Sequence, residues 1–190
     1  MFEELLARIA RELKRSDLPY MIIGGQAVLL YGTPRMTKDI DITLGVDIGQ
    51  LESLLPELGP MGLEIIPEDF RSFAERTSVL PTKDKASAIR VDFIFSFTPY
   101  ERQAISRAKA VLLSGTIVMF ASVEDVIIHK IFAGRPRDLE DVRSILLKNP
   151  NLDRTYVRKW LREFEKSPEK KGLTKTFEEA LRDLVEIGTP

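Results

Sequence analysis

The chain has 190 residues, 44% of them hydrophobic and 30% charged, with a formal net charge of −1 and no cysteine. That composition is globular and long enough to bury a sizeable core, and the near-zero charge excludes a bulk polyanion binder. The missing cysteine excludes disulfides, thiolate metal sites and cysteine nucleophiles and fits a reducing cytoplasm, and no apolar run approaches membrane-spanning length.

The opening MFEELLARIARELKR places Phe2, Leu5, Leu6, Ile9 and Leu13 at helical spacing, an amphipathic helix and not a signal peptide. YMII at 20–23 reads as a short apolar strand ending at Gly24-Gly25. Residues 26–31 continue as a short helix that Gly32 stops. Residues 33–38 are a loop carrying Arg35, Thr37 and Lys38, followed by a second strand over 39–44. Asp47 caps a helix to about residue 58. A strand over 63–66 ends at Pro67, and strands over 77–80 and 88–97 form a hairpin across the polar turn 82–87.

Thr98, Pro99 and Glu101 open a helix to about residue 109, with a Thr cap, a proline at the first position and Glu three residues after the cap. Residues 111–113 and 116–120 form a hairpin around Ser114-Gly115. Ser122 with Asp125 is a second capping pattern, opening VEDVIIHKIFAG, which Gly134 ends. Further helices are expected over 137–147, after Asp153, and after Thr176 with Glu179. The expected division is a core over 1–121, where strands and helices alternate, and an all-helical region over 122–190.

The stretch that carries chemistry is GGQAVLLYGTPRMTKDIDITL, residues 24–44. A strand period of two puts Asp39 and Asp41 on one face and Ile40 and Ile42 on the other. Two adjacent carboxylates repel, and burying either is costly, so a cation between them is the natural resolution. Hard oxygen ligands suit Mg²⁺, which takes one or two carboxylates and leaves its other positions to water and phosphate. The glycine pair can turn tightly and present backbone N–H groups at a helix start, where an anion is favoured. In the later strand Arg90, Asp92 and Ile94 share one face, and Val91, Phe93 and Phe95 the other. Asp92 is a lone carboxylate in the apolar run VDFIFSF and needs a partner. It reads as a third ligand brought beside Asp39 and Asp41 by sheet pairing.

Gly-Gly, then Asp-x-Asp on the next strand, then a third acid on a later strand resembles the DNA polymerase β-like nucleotidyltransferase superfamily. Within it the chain is most similar to the AbiEii-type nucleotidyltransferases of toxin–antitoxin systems. That group carries a lysine on a helix followed by a basic and acidic motif, matched here by position at Lys130, Asp138 and Asp141. The resemblance covers residues 20–147. It implies an α/β (α+β) fold, a mixed central sheet flanked by helices with a helical C-terminal region. It also implies two Mg²⁺ ions, or Mn²⁺, held by Asp39, Asp41 and Asp92. Nucleotide contacts fall to Gly24, Gly25, Gln26, Arg35, Lys38, Lys130 and Arg137, with Asp138 and Asp141 in support. Gln26 departs from the Ser or Thr usual after the glycine pair, and Arg137 stands where the group has Lys.

The implied reaction is NMP transfer from an NTP to an acceptor hydroxyl. A tRNA 3′ end is one acceptor, with a cognate antitoxin protein as partner. A protein or an antibiotic is another, and an inactive nucleotide-binding module or a phosphohydrolase using the same metals is the remaining alternative. Residues 154–175 carry eight Lys/Arg against three Asp/Glu, a local basic excess suited to an RNA backbone or to a solvated helix face. No membrane role is expected.

Overall fold

In a computed structural model that describes residues 1–187, the chain forms two compact units. The first comprises Met1–Gln26 and Met36–Ala121. The second comprises Ala27–Arg35 and the chain from Ser122 onward.

The first unit is built on one seven-stranded mixed sheet. Its strands are β1 (Tyr20–Ile23), β2 (Asp39–Leu44), β3 (Leu63–Ile65), β4 (Val79–Asp84), β5 (Arg90–Phe95), β6 (Lys109–Leu113) and β7 (Thr116–Phe120). They lie in the order β3-β4-β5-β2-β1-β7-β6. The pairs β2/β5 and β1/β7 are parallel, and the other neighbours antiparallel. Both β2 and β5 are therefore interior strands, so Asp92 does not sit on a solvated sheet edge.

Alternation fixes which side of these strands faces the core. Ile40, Ile42, Val91 and Phe93 are fully buried, whereas Asp39, Asp41 and Asp92 are half-buried on the opposite face. Burying each apolar side chain is worth about 1.5–3 kcal/mol. A one-residue slip would expose all four and bury the carboxylates, so register is strongly specified.

Helix α1 (Phe2–Arg15) lays Leu5, Leu6, Ile9 and Leu13 against β6 and β7. Its Arg8 pairs with the buried Asp84 carboxylate at the end of β4. Helix α2 (Gly24–Tyr31) starts directly from β1. Asp47 caps a 3₁₀ turn over Ile48–Gln50, which leads into α3 (Leu51–Leu58). Helix α4 (Phe70–Thr77) was not expected from the sequence. Its one fully buried residue is Ala74, so it carries no apolar stripe to read. Helix α5 (Pro99–Ser106) has the expected Thr98 cap and ends sooner than expected, because β6 already begins at Lys109.

The second unit is helical among its described residues. It holds α6 (Val123–Ala133), α7 (Pro136–Lys148), α8 (Arg154–Phe164) and α9 (Leu173–Ile187). The Ser122 hydroxyl accepts from Asp125 N, Asp153 caps α8, and Gly134 closes α6 with φ +65°. Helix α9 does not start at the Thr176 pattern. It starts at Leu173, where the Glu165 carboxylate accepts from Thr174 N at 3.0 Å and from its hydroxyl at 2.8 Å. No helix among the described residues is long and apolar enough to cross a membrane.

Candidate active site

Parallel pairing sets Asp41 of β2 directly across from Asp92 of β5, and Asp39 across from Arg90. In-register residues on paired strands project to the same face, so Asp39, Asp41 and Asp92 share one surface of the sheet. These are the three carboxylates that the sequence singles out.

The end of β1 closes in on the same carboxylates. Ile23 pairs with Asp41, and the next residue, Gly24, turns the chain into α2 with φ +63°. A Cβ on Gly24 would lie 1.9 Å from Asp41 Oδ2. Only glycine allows this backbone to approach the carboxylate so closely and to hold a left-handed φ there. The first turn of α2 thus begins beside Asp41, and the leading N–H groups of a helix lack intrahelical partners. Gly25 is buried behind it. Gln26 is also buried, and its amide nitrogen donates to the Thr37 hydroxyl at 2.7 Å. That bond ties the loop ahead of β2 to the start of α2. Lys38, in the same loop, is exposed one residue before Asp39.

One residue of this face escaped the sequence reading as a functional group. Arg90 Nε donates to both oxygens of Asp92 at 2.9 Å each. The signal was present, since Arg90 and Asp92 stand two apart on one strand and therefore share a face. Hydrogen bonding to Asp92 holds the Arg90 guanidinium above its ordinary pKa. Slight burial opposes this, and the charges of Asp92, Asp39 and Asp41 add to it. In this arrangement no three Asp, Glu, His or Cys groups among the described residues converge to share an ion. The donor set nonetheless fits a hard divalent cation: three carboxylates on one half-buried face, already drawing in a positive charge.

The second unit gathers the remaining residues. Lys130 of α6 is buried, with Nζ 2.7 Å from Asp138 Oδ1 and 2.9 Å from Asp141 Oδ2, both carboxylates on α7. Arg35 donates from Nε and Nη2 to the two oxygens of Asp141 at 2.8 Å each. Arg135 Nε donates to Asp138 Oδ2 at 2.6 Å. Burial by itself would raise both aspartate pKa values. For Asp138 the bonds from Arg135 and Lys130 outweigh it, and for Asp141 those from Arg35 and Lys130. Both carboxyls are thereby held below the usual aspartate range. Lys130, Arg35 and Arg135 thus converge on these two carboxylates. Arg137 lies exposed on the first turn of α7.

The basic excess of 154–175 is partly neutralised. Arg158 lies on Glu178 at 2.7 Å, Lys166 on Glu163 at 2.7 Å, and Lys170 stands 3.9 Å over the Phe132 ring.

Several solved structures share this fold. An antigenic nucleotidyltransferase-like protein from Paracoccidioides brasiliensis aligns with a TM-score of 0.58 at 17% identity, covering 92% of each chain. The antibiotic-resistance factor ANT(2")-Ia, in complex with adenylyl-2"-tobramycin, aligns at 0.57 and 18% identity, covering 87% of this chain and 97% of its own. The lincosamide antibiotic adenylyltransferase LnuA, lincomycin-bound, aligns at 0.52 and 15% identity, covering 75% and 94%. No curated protein matches the sequence. The sequence profile described as "Nucleotidyltransferase of unknown function (DUF6036)" matches residues 1–179, so the chain belongs to that family and is a nucleotidyltransferase.

Proposed function

We propose that the chain transfers an NMP from an NTP to an acceptor hydroxyl in a Mg²⁺-dependent reaction centred on Asp39, Asp41 and Asp92. One observation carries this reading: Asp41 and Asp92 occupy one register position on adjacent parallel strands, with Asp39 two residues along the same face. Asp39, Asp41 and Asp92 would hold Mg²⁺, or Mn²⁺ in its place, which when bound neutralises phosphate charge and polarises the phosphoryl oxygens.

The chain's own groups do the rest. The first turn of α2, entered through Gly24 and Gly25, offers backbone N–H groups to a phosphate. Gln26 holds the loop before β2 in place through Thr37. Asp92 accepts the proton of the acceptor hydroxyl as its oxygen attacks the α-phosphorus. The bond from that phosphorus to the bridging oxygen breaks, and pyrophosphate leaves. Catalysis on this scheme is positioning and charge neutralisation, with no covalent enzyme intermediate. In the helical unit, Asp138 and Asp141 fix Lys130 and Arg35, basic groups of the kind that bind an anion.

A small hydroxylated molecule is the acceptor class we favour. ANT(2")-Ia was captured with adenylyl-2"-tobramycin and LnuA with lincomycin, and each is nearly fully covered by the alignment. A tRNA 3′ end, in an AbiEii-like toxin role, is the second reading, supported by the basic excess of residues 154–175.

The test is incubation with each α-³²P-labelled NTP, Mg²⁺ and either total tRNA or a panel of aminoglycosides and lincosamides, beside Asp41→Asn. Label on a small molecule, absent with Asp41→Asn, supports the favoured reading, and label on RNA selects the second. No transfer in any mixture, with no thermal shift from NTP and Mg²⁺, overturns the proposal.

A further inference from the structure

We propose that Arg90 is a tethered counter-ion of the carboxylate cluster, and that a divalent cation must displace it to be ligated by Asp92. The inference rests on the metal-site reading above.

Both oxygens of Asp92 are engaged by the same Nε–H, at 2.9 Å each. A metal ion bound by Asp92 would use the same lone pairs, so the guanidinium and the ion compete directly. Arg90 also faces Asp39 across the β2/β5 pairing. Its positive charge therefore relieves the repulsion among three carboxylates that share one face. The side chain of Arg90 is 53% exposed, whereas that of Asp92 is 15% exposed. The carboxylate is consequently fixed in the sheet, while the guanidinium can swing into water on its long stem. Of the two partners, Arg90 is the one able to leave.

Exchange suits the site for a physical reason. Without any cation the cluster would hold three unbalanced, half-buried charges. A permanently buried pair would resist the metal. An exposed pair is weak, typically worth about 0.2–1 kcal/mol, so it balances the charge and still yields. The competition therefore weakens metal binding by only about 1.4- to 5-fold.

The test is Mn²⁺ binding without nucleotide, read from the electron paramagnetic resonance of the free ion. It compares the wild-type chain with Arg90→Gln, Arg90→Lys and Asp41→Asn. We expect Asp41→Asn to lose binding and Arg90→Gln to bind about 1.4- to 5-fold more tightly than wild type, with Arg90→Lys between them. A role of Arg90 in folding alone would not tighten metal binding. A second readout is the Arg90 Nε–H resonance in ¹⁵N-labelled wild-type protein. On titration with Mg²⁺ it should move to a solvent-exposed shift with the same midpoint as metal occupancy. Equal or weaker Mn²⁺ binding by Arg90→Gln, or an unmoved Arg90 resonance at saturating Mg²⁺, overturns the inference and leaves the metal site standing. Absence of Mn²⁺ binding by wild type and Arg90→Gln alike overturns the metal-site reading and this inference together.

Discussion

Replacing Gly24 with alanine tests the packing of the α2 start against Asp41. The added Cβ would lie 1.9 Å from Asp41 Oδ2, 2.9 Å from its Cγ and 3.1 Å from its Cβ. Non-bonded carbon contacts settle near 3.5 Å, so the carboxylate must move by about 1.5 Å. The backbone φ of +63° adds about 1–2 kcal/mol for any residue with a Cβ. A carboxylate is the mobile end of a side chain, so the protein should fold and the carboxylate should be misplaced. For a domain of this size the backbone penalty alone lowers Tm by about 2–8 °C. A misplacement of an ångström or more costs about 10²-fold in rate. The natural control is Gly115→Ala, whose φ is +75° with nothing within 4 Å of the added Cβ. It carries the same backbone penalty and should leave transfer unchanged. Tm would be read by circular dichroism and transfer from labelled NTP. Gly24→Ala retaining transfer within about two-fold of Gly115→Ala would refute the contact argument.

Asp41→Asn and Asp92→Asn should each retain the fold and lower transfer by about 10²-fold or more, checked by circular dichroism and initial rates. Lys130→Met removes one cation from two buried carboxylates that keep Arg135 and Arg35, and should cost about 1.5–3 kcal/mol of stability by urea titration, and a loss under about 1 kcal/mol would contradict the burial of that cluster. The folded pKa values of Asp138 and Asp141 are depressed, so the stability they supply is present above the ordinary aspartate value of 3.8 and disappears as pH falls through their lower folded values. Acid unfolding should accordingly shift to higher pH in Lys130→Met. Burial first, and then the charges of Glu124 and Asp125, push the Tyr31 phenol up to about 12. Its ultraviolet titration should lag ordinary tyrosine, and Tyr31→Phe should remove that late step.

Much of the carboxylate face was legible because the strand period is local. Asp39 and Asp41 flank Ile40, and that alternation alone tells which side is wet. Capping patterns were legible at Ser122 and Thr98 for the same reason, since hydroxyl and amide lie three residues apart. The same pattern misled at Thr176, because the group that caps α9 is Glu165, nine residues before Thr174. Helix α4 was missed because it buries little beyond Ala74, and periodicity reports burial, not helicity. Arg90 was placed on the right face but given no role. Its meaning depends on Asp39 of another strand, a neighbour that only the sheet order reveals. Lys130 is a similar case. Its helix spacing was readable, but its carboxylate partners on α7 and the approach of Arg35 depend on tertiary packing.

The β2/β5 register shows what fixes the carboxylates in place. Asp41 stands across from Asp92 because Ile40 stands across from Val91 and Ile42 across from Phe93. Those four residues are fully buried. Slipping β5 by one residue would turn Val91 and Phe93 out of the core and forfeit roughly 3–6 kcal/mol of apolar burial, a large share of the stability of a typical domain. Placement of the carboxylates is therefore enforced by the opposite face of the same strands, and any apolar residues of suitable volume can enforce it. Arg90 obeys a different constraint. Its backbone is paired within the sheet, but its side chain is 53% exposed and is held on Asp92 by a charged hydrogen bond. A change at Arg90 therefore alters the charge balance of the cluster while leaving intact the burial that sets the carboxylates' register.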